Sequence, residues 1–187
     1  MTERVKVLFD ETRLQERVAQ MGAQITSACR GQDLVLVVVL KGSFVFAADL
    51  ARRIDLPLTV DFLGLRSYGD GTETSGVVQI TSDLSRSIEG RDVIVVEDIV
   101  DTGLTMAYLL DNLRTRRPRS LRVAALLHKP ARTRIVVPID WLGFTVDDVF
   151  VVGYGLDHAE RYRNLPYIGV LEPGPSATTG TSGAVGS

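Results

Sequence analysis

Cysteine, histidine and long apolar runs are all scarce in this chain. One cysteine, Cys29, stands among 187 residues, which excludes a disulfide framework and a cysteine metal cluster. Its spacing puts it on the apolar face of a helix, as a small core residue. The two histidines, His128 and His158, are too few and too far apart for a histidine metal site. The longest apolar run, Leu34 to Leu40, falls far short of the roughly 20 residues that cross a bilayer. The first residues carry Glu3, Arg4, Lys6 and Asp10 and no signal-peptide core, so a reduced, cytoplasmic compartment is expected. A formal net charge of -2 gives no broad basic surface for nucleic acid. Internal repeats are absent as well.

What is present is an ordinary globular balance, 45% hydrophobic and 24% charged, in a length that suits one domain with a proper core. Leu14, Val18, Met21, Ile25 and Cys29 recur at three and four, which predicts a helix over 10–30 capped by Asp10 and closed at Gly31. Leu34–Leu40, Val93–Val96 and Leu121–Leu127 read as buried parallel strands. Pro57 to Leu65 and Val77 to Thr81 also read as strands, and Ile168–Leu171 as a last short one. Helices are expected from Phe44, capped by Ser43, and from Leu104 to Arg117. Strands alternating with helices predict an α/β domain around a mainly parallel twisted sheet.

The chemistry concentrates behind Val96. Glu97 and Asp98 are followed by Asp101, Thr102, Gly103 and Thr105, read as a strand-to-helix loop over 97–105. In open α/β sheets ligands bind at the carboxyl ends of strands. Gly103 permits a sharp turn, and the two hydroxyls beside free N–H groups at a helix start suit a phosphate. Adjacent carboxylates accept hydrogen bonds and so can hold the two hydroxyls of a ribose. Together these suggest a ribose 5-phosphate; the alternative is a solvated acidic loop with an ordinary N-cap. Lys41-Gly42 stands at the end of another strand, where a cation could help hold pyrophosphate or simply be solvated.

The run Val95 to Thr105 resembles the phosphoribosyl pyrophosphate (PRPP) motif of the type I phosphoribosyltransferases. Three further motifs narrow the resemblance to the hypoxanthine-guanine phosphoribosyltransferases: Leu40-Lys41-Gly42, Ser67-Tyr68, and Lys129 with Phe150 to Asp157. It covers about Val7 to Glu172. By that resemblance Glu97, Asp98, Asp101, Thr102, Gly103, Leu104 and Thr105 bind the ribose phosphate, and Asp101 is the catalytic acid/base at purine N7. Some relatives carry lysine at Leu104. Lys41, Gly42 and Arg163 would contact pyrophosphate, and the Leu40–Lys41 peptide can be cis in that family. Lys129 would donate to the exocyclic oxygen of a 6-oxopurine, since an ammonium donates only. Phe150 would stack on the base and Val151 read its edge through the backbone. Asp157, with Glu97 and Asp98, would hold Mg²⁺. Ser67 and Tyr68 would lie on a mobile loop covering the site.

The resemblance implies one domain over 1–172, with a base-binding hood from about 129 to 172 and some contribution from the N-terminal segment. A glycine-, serine- and threonine-rich tail over 173–187 is expected to be disordered. The implied reaction joins hypoxanthine or guanine to PRPP, giving IMP or GMP and pyrophosphate in purine salvage. A homodimer or homotetramer is implied, with no nucleic acid or membrane partner. Rival readings are a xanthine or pyrimidine phosphoribosyltransferase, and a regulator of the same fold that binds RNA.

Overall fold

The computed structural model describes residues 4–68 and 77–172. The central segment of the expected covering loop, 69–76, and the tail lie outside the described residues. Two sheets form. The larger has six strands: β2 (Leu34–Leu40), β3 (Leu58–Tyr68), β4 (Val77–Ser82), β5 (Asp92–Val100), β6 (Ser120–His128) and β7 (Trp141–Thr145). Their order is β4-β3-β2-β5-β6-β7, parallel except where β4 runs against β3. The smaller sheet is antiparallel, in the order β1-β9-β8, from β1 (Arg4–Phe9), β8 (Val151–Val152) and β9 (Ile168–Glu172). The segment 129–172 is thus divided. Trp141 and β7 extend the main sheet, while β8 and β9 join β1 in the hood.

Alternation along the valine-rich strands explains the layers. Leu34, Leu36, Val38, Ile94 and Val96 face α1 (Glu11–Ala28) and α2 (Phe44–Arg53). Val35, Val37, Val39, Val93 and Val95 face α3 (Leu104–Arg114). Strands covered on both faces lose the hydrophobic–polar alternation of a half-exposed sheet, hence the unbroken apolar runs. Leu14, Val18, Met21 and Ile25 on α1, and Cys29 at its C-cap, are all fully buried, as their spacing predicts. Asp10 accepts from the Arg13 amide at 2.8 Å and caps that helix.

The chain runs from β2 through α2 to β3 on one side, whereas β5 lies on the other side of β2. Between β2 and β5 the strand order reverses. That reversal opens a crevice at the carboxyl ends of the two strands, the usual ligand position in such sheets. No helix among the described residues is long and apolar enough to cross a membrane.

Candidate active site

Two corrections concern the ends of β2 and β5. β5 does not stop at Val96 but continues to Val100, so Glu97 and Asp98 lie on the strand and the loop is reduced to 101–103. Pairing of Glu97 with Ala125, Ile99 with Leu127 and Val100 with His128 extends the ladder past the apolar run. Ser43 does not cap α2 with its side chain. Its hydroxyl accepts from the Asp98 amide at 2.9 Å and lies 3.4 Å from Asp98 Oδ1. The loop after β2 is thereby tied to the end of β5. The Leu40–Lys41 peptide is cis. Gly42 sits so close to Asp98 that a Cβ there would lie 1.7 Å from Oδ2.

The turn 101–103 leads into α3. Gly103 adopts φ +81°, a left-handed conformation that suits glycine, and a Cβ would meet the Ile135 carbonyl at 2.0 Å. The Arg134 and Ile135 amides both donate to the Thr102 carbonyl, at 2.9 and 3.0 Å, so the segment after β6 supports this turn. Glu97, Asp101, Thr102, Gly103 and Thr105 line a small pocket of about 120 Å³ at the start of α3. Leu104 begins the helix and is not on that wall.

Next to it lies a cleft of about 1000 Å³, and Asp101 and Ile99 belong to both walls. The cleft gathers Lys41, Gly42 and Asp98 from the switch point, and Lys129 from the end of β6. From the hood and its loop come Phe150, Val151, Asp157 and Arg163. Lys129 is 7% exposed, and its amide donates to the Val100 carbonyl at 3.0 Å, which fixes the ends of β5 and β6 side by side. Phe150 is half exposed, with His158 edge-on to its ring at 5.2 Å. Arg163 donates to the Gly155 carbonyl at 2.8 Å and reaches Asp157 Oδ1 at 2.8 Å. Ser67 and Tyr68 occupy the last two positions of β3, so they end a strand rather than begin a loop.

Burial holds the Glu97 carboxyl well above the usual carboxylate range, and the neighbouring Asp98 charge adds to this. Asp98 is raised too, again mainly by burial. Glu97 Oε2 is shielded from solvent and has no hydrogen-bond partner among the described residues. Such an atom needs a donor or a cation. The described residues hold no cluster of three or more carboxylate, histidine or cysteine groups that could cage a metal. A divalent ion held by one or two carboxylates and completed by substrate oxygens fits this donor set, as Mg²⁺ is commonly bound.

Two cleft residues, Arg132 and Glu160, and one residue beside the cleft, Asp148, were not anticipated from the sequence. Arg132 Nε lies 2.9 Å from Asp101 Oδ1. Asp148 reaches Arg132 at 3.4 Å. Glu160 spans Lys41, at 3.2 Å, and Arg163, at 3.5 Å, and the Lys41 ammonium holds its carboxyl below the usual range. The only available signal was proximity in sequence to Lys129, Phe150 and Asp157. It is chain folding that makes them neighbours of Asp101 and Lys41.

A reversed strand order, a glycine turn feeding a helix N-terminus and an acidic strand end define the class, a type I phosphoribosyltransferase fold. A family model for the phosphoribosyl transferase domain matches residues 5–159. A hypoxanthine-guanine phosphoribosyltransferase of Mycobacterium avium is 51% identical over 173 residues, covering 89% of this chain and 85% of the relative. A crystal structure of a hypoxanthine phosphoribosyltransferase from Staphylococcus aureus superposes with a TM-score of 0.87 at 46% identity, covering 90% of this chain and 91% of that one. The bifunctional protein TilS/HprT of Listeria innocua is 49% identical over 90% of this chain, which spans only 26% of that longer protein. The chain belongs to the phosphoribosyltransferase family, among its hypoxanthine-guanine members.

Proposed function

We propose that the chain transfers the 5-phosphoribosyl group of PRPP to N9 of hypoxanthine and guanine, releasing pyrophosphate. The observation that carries this is the position of Asp101. It lies on both walls, between the phosphate-type turn of α3 and the cleft that holds Lys129 and Phe150. A sugar phosphate seated on residues 101–105 would present its anomeric carbon beside a base stacked on Phe150. Glu97 and Asp98 accept from the ribose hydroxyls. Lys129 donates to the 6-oxo group, and its buried ammonium offers nothing to the amino group of adenine. Val151 supplies backbone groups to the base edge.

As purine N9 bonds to the anomeric carbon, the bond to pyrophosphate breaks and Asp101 takes the proton from N7. Lys41, the Gly42 backbone and Arg163 receive the leaving pyrophosphate. Holding the two reactants together contributes several kcal/mol through orientation. Mg²⁺, held by Asp157 with help from Glu97 and Asp98, would neutralise charge on the pyrophosphate. Ser67 and Tyr68, at the end of β3, belong to the segment we assign to covering the site. The same proposal includes a cytoplasmic location, a homodimer or homotetramer, and no nucleic-acid partner. It treats 1–172 as the catalytic domain and 173–187 as an appended tail.

The test is turnover with PRPP and Mg²⁺ against hypoxanthine, guanine, xanthine and adenine in turn. Product is expected from hypoxanthine and guanine. Product from neither would overturn the reading, and product from xanthine alone would move it to a sister activity.

A further inference from the structure

Arg132 and Asp148 have no part in the transfer just described, yet they stand between two residues that do. The short 3-10 turn Pro130–Arg132 follows Lys129 directly, and the Arg132 amide donates to the Lys129 carbonyl at 3.1 Å. This turn brings the guanidinium back over the end of β5. Its Nε is 2.9 Å from Asp101 Oδ1, and its Nη1 is 3.4 Å from Asp148 Oδ1. The same Asp148 oxygen is 4.0 Å from Lys129 Nζ. Four charges therefore alternate in one chain: Asp101, Arg132, Asp148 and Lys129.

The ends of that chain address one edge of one molecule. In a 6-oxopurine the N7 and O6 atoms are neighbours on the same edge. Asp101 serves N7 and Lys129 serves O6, so the carboxylate and the ammonium must stay apart by the width of that edge. Left alone, the carboxylate and the ammonium would attract each other across the base slot. The Lys129 side chain is 9% exposed, so its ammonium has little water to compensate it and needs a carboxylate nearby. Asp148 supplies that carboxylate from outside the base slot, and Arg132 supplies the matching cation for Asp101.

Resting on the reaction proposed above, we infer that Arg132 and Asp148 are positioning residues. As a pair they hold Asp101 and Lys129 at the separation that fits the N7/O6 edge. Arg132 acts on the proton step through Asp101, and Asp148 acts through Arg132 and Lys129. Neither needs to touch the purine.

Steady-state kinetics of the full chain with PRPP, Mg²⁺ and guanine test this. Arg132→Gln is expected to lower kcat about tenfold, with less than a threefold change in the KM for PRPP. Arg132→Lys should recover part of the loss, because it restores the positive charge beside Asp101. Asp148→Asn should act in the same direction, and the double variant should lose less than the product of the two single losses. In an Asp101→Asn background, Arg132→Gln should cost nothing further, since the group it positions can no longer accept the proton. An unchanged kcat in Arg132→Gln would overturn the inference. So would losses that multiply in the Asp101→Asn background. Failure of the wild-type chain to use guanine or hypoxanthine would instead remove the proposed reaction, before any variant is compared.

Discussion

Asp101→Asn keeps the size of the side chain but removes its ability to take a proton. Its expected effect is a fall in kcat of about 10²–10⁴-fold with little change in PRPP binding, the usual range for a lost general acid or base. An unchanged kcat would take Asp101 out of that role. Glu160 works in the opposite sense. Its carboxylate bridges Lys41 and Arg163, two of the cations assigned to pyrophosphate. The substrate anion must displace it. Lys41 and Glu160 are both well exposed, so solvent screening leaves the contact weak. Glu160→Gln should therefore lower the KM for PRPP by no more than about fivefold and leave kcat close to the wild-type value. A higher KM would show that Glu160 assists binding. The placement of Asp101 and Lys129 at strand ends on the cleft was legible in the sequence, from the apolar runs that lead up to them. Arg132 and Glu160 were not, because a charged residue in a polar connection has no local mark that separates it from a solvated one.

At the scale of the element, β5 is the instructive case. Its apolar run ends at Val96, and the sequence suggests that the strand ends there too. Ladder pairing with β6 carries it on to Val100, because a backbone hydrogen bond does not depend on whether the side chain is apolar. Glu97 and Asp98 are consequently held on a rigid strand. The following turn depends on Gly103. Gly103→Ala would put a Cβ into a left-handed position and against the Ile135 carbonyl. A loss of at least about 1–3 kcal/mol is expected, read as a lower Tm, together with a raised KM for PRPP. At the other end of β5, Asp92 is buried and accepts from Arg119 and from the Ser120 hydroxyl, which pins the starts of β5 and β6 together. The Arg119 contact, above all, holds its carboxyl below the usual carboxylate range. A depressed pKa contributes stability above the unfolded value of about 3.9, and that contribution is lost as pH falls through the lower folded value. Asp92→Asn should therefore cost about 1.5–3 kcal/mol at pH 7, from the loss of charged hydrogen bonds. The gap to wild type in denaturant melts should shrink below about pH 4. A gap that stays constant with pH would show that the carboxylate charge contributes nothing.

The whole molecule decides what faces what. The hood is assembled from both ends of the described chain, β1 from residues 4–9 and β9 from 168–172, a pairing across more than a hundred and fifty residues. One tie between hood and core is the Tyr154 hydroxyl, which donates to Asp49 Oδ2 on α2 at 2.5 Å, beside Gln15 from α1 at 2.7 Å. Tyr154→Phe should lower stability by about 1 kcal/mol, since Asp49 keeps its other partners, and should raise the KM for the base more than that for PRPP. Equal effects on the two would show that this tie has no separate effect on the base side. By itself the sequence determined the α/β class, the buried faces of α1 and of the central strands, and a glycine turn ahead of α3. These follow from periodicity, β-branching and a glycine between hydroxyls, all of which act over a few residues. Only the tertiary structure decided that β2 and β5 lie side by side with the strand order reversing between them, that Ser43 is tied to Asp98 rather than to its own helix, and that Arg132 and Glu160 face the cleft. Those outcomes depend on contacts between residues far apart in the chain, and such contacts leave no spacing in the sequence from which they could be read. The stretch from Glu97 to Thr105 is local chemistry; strand order sets Lys129 beside it, and the hood brings in Phe150.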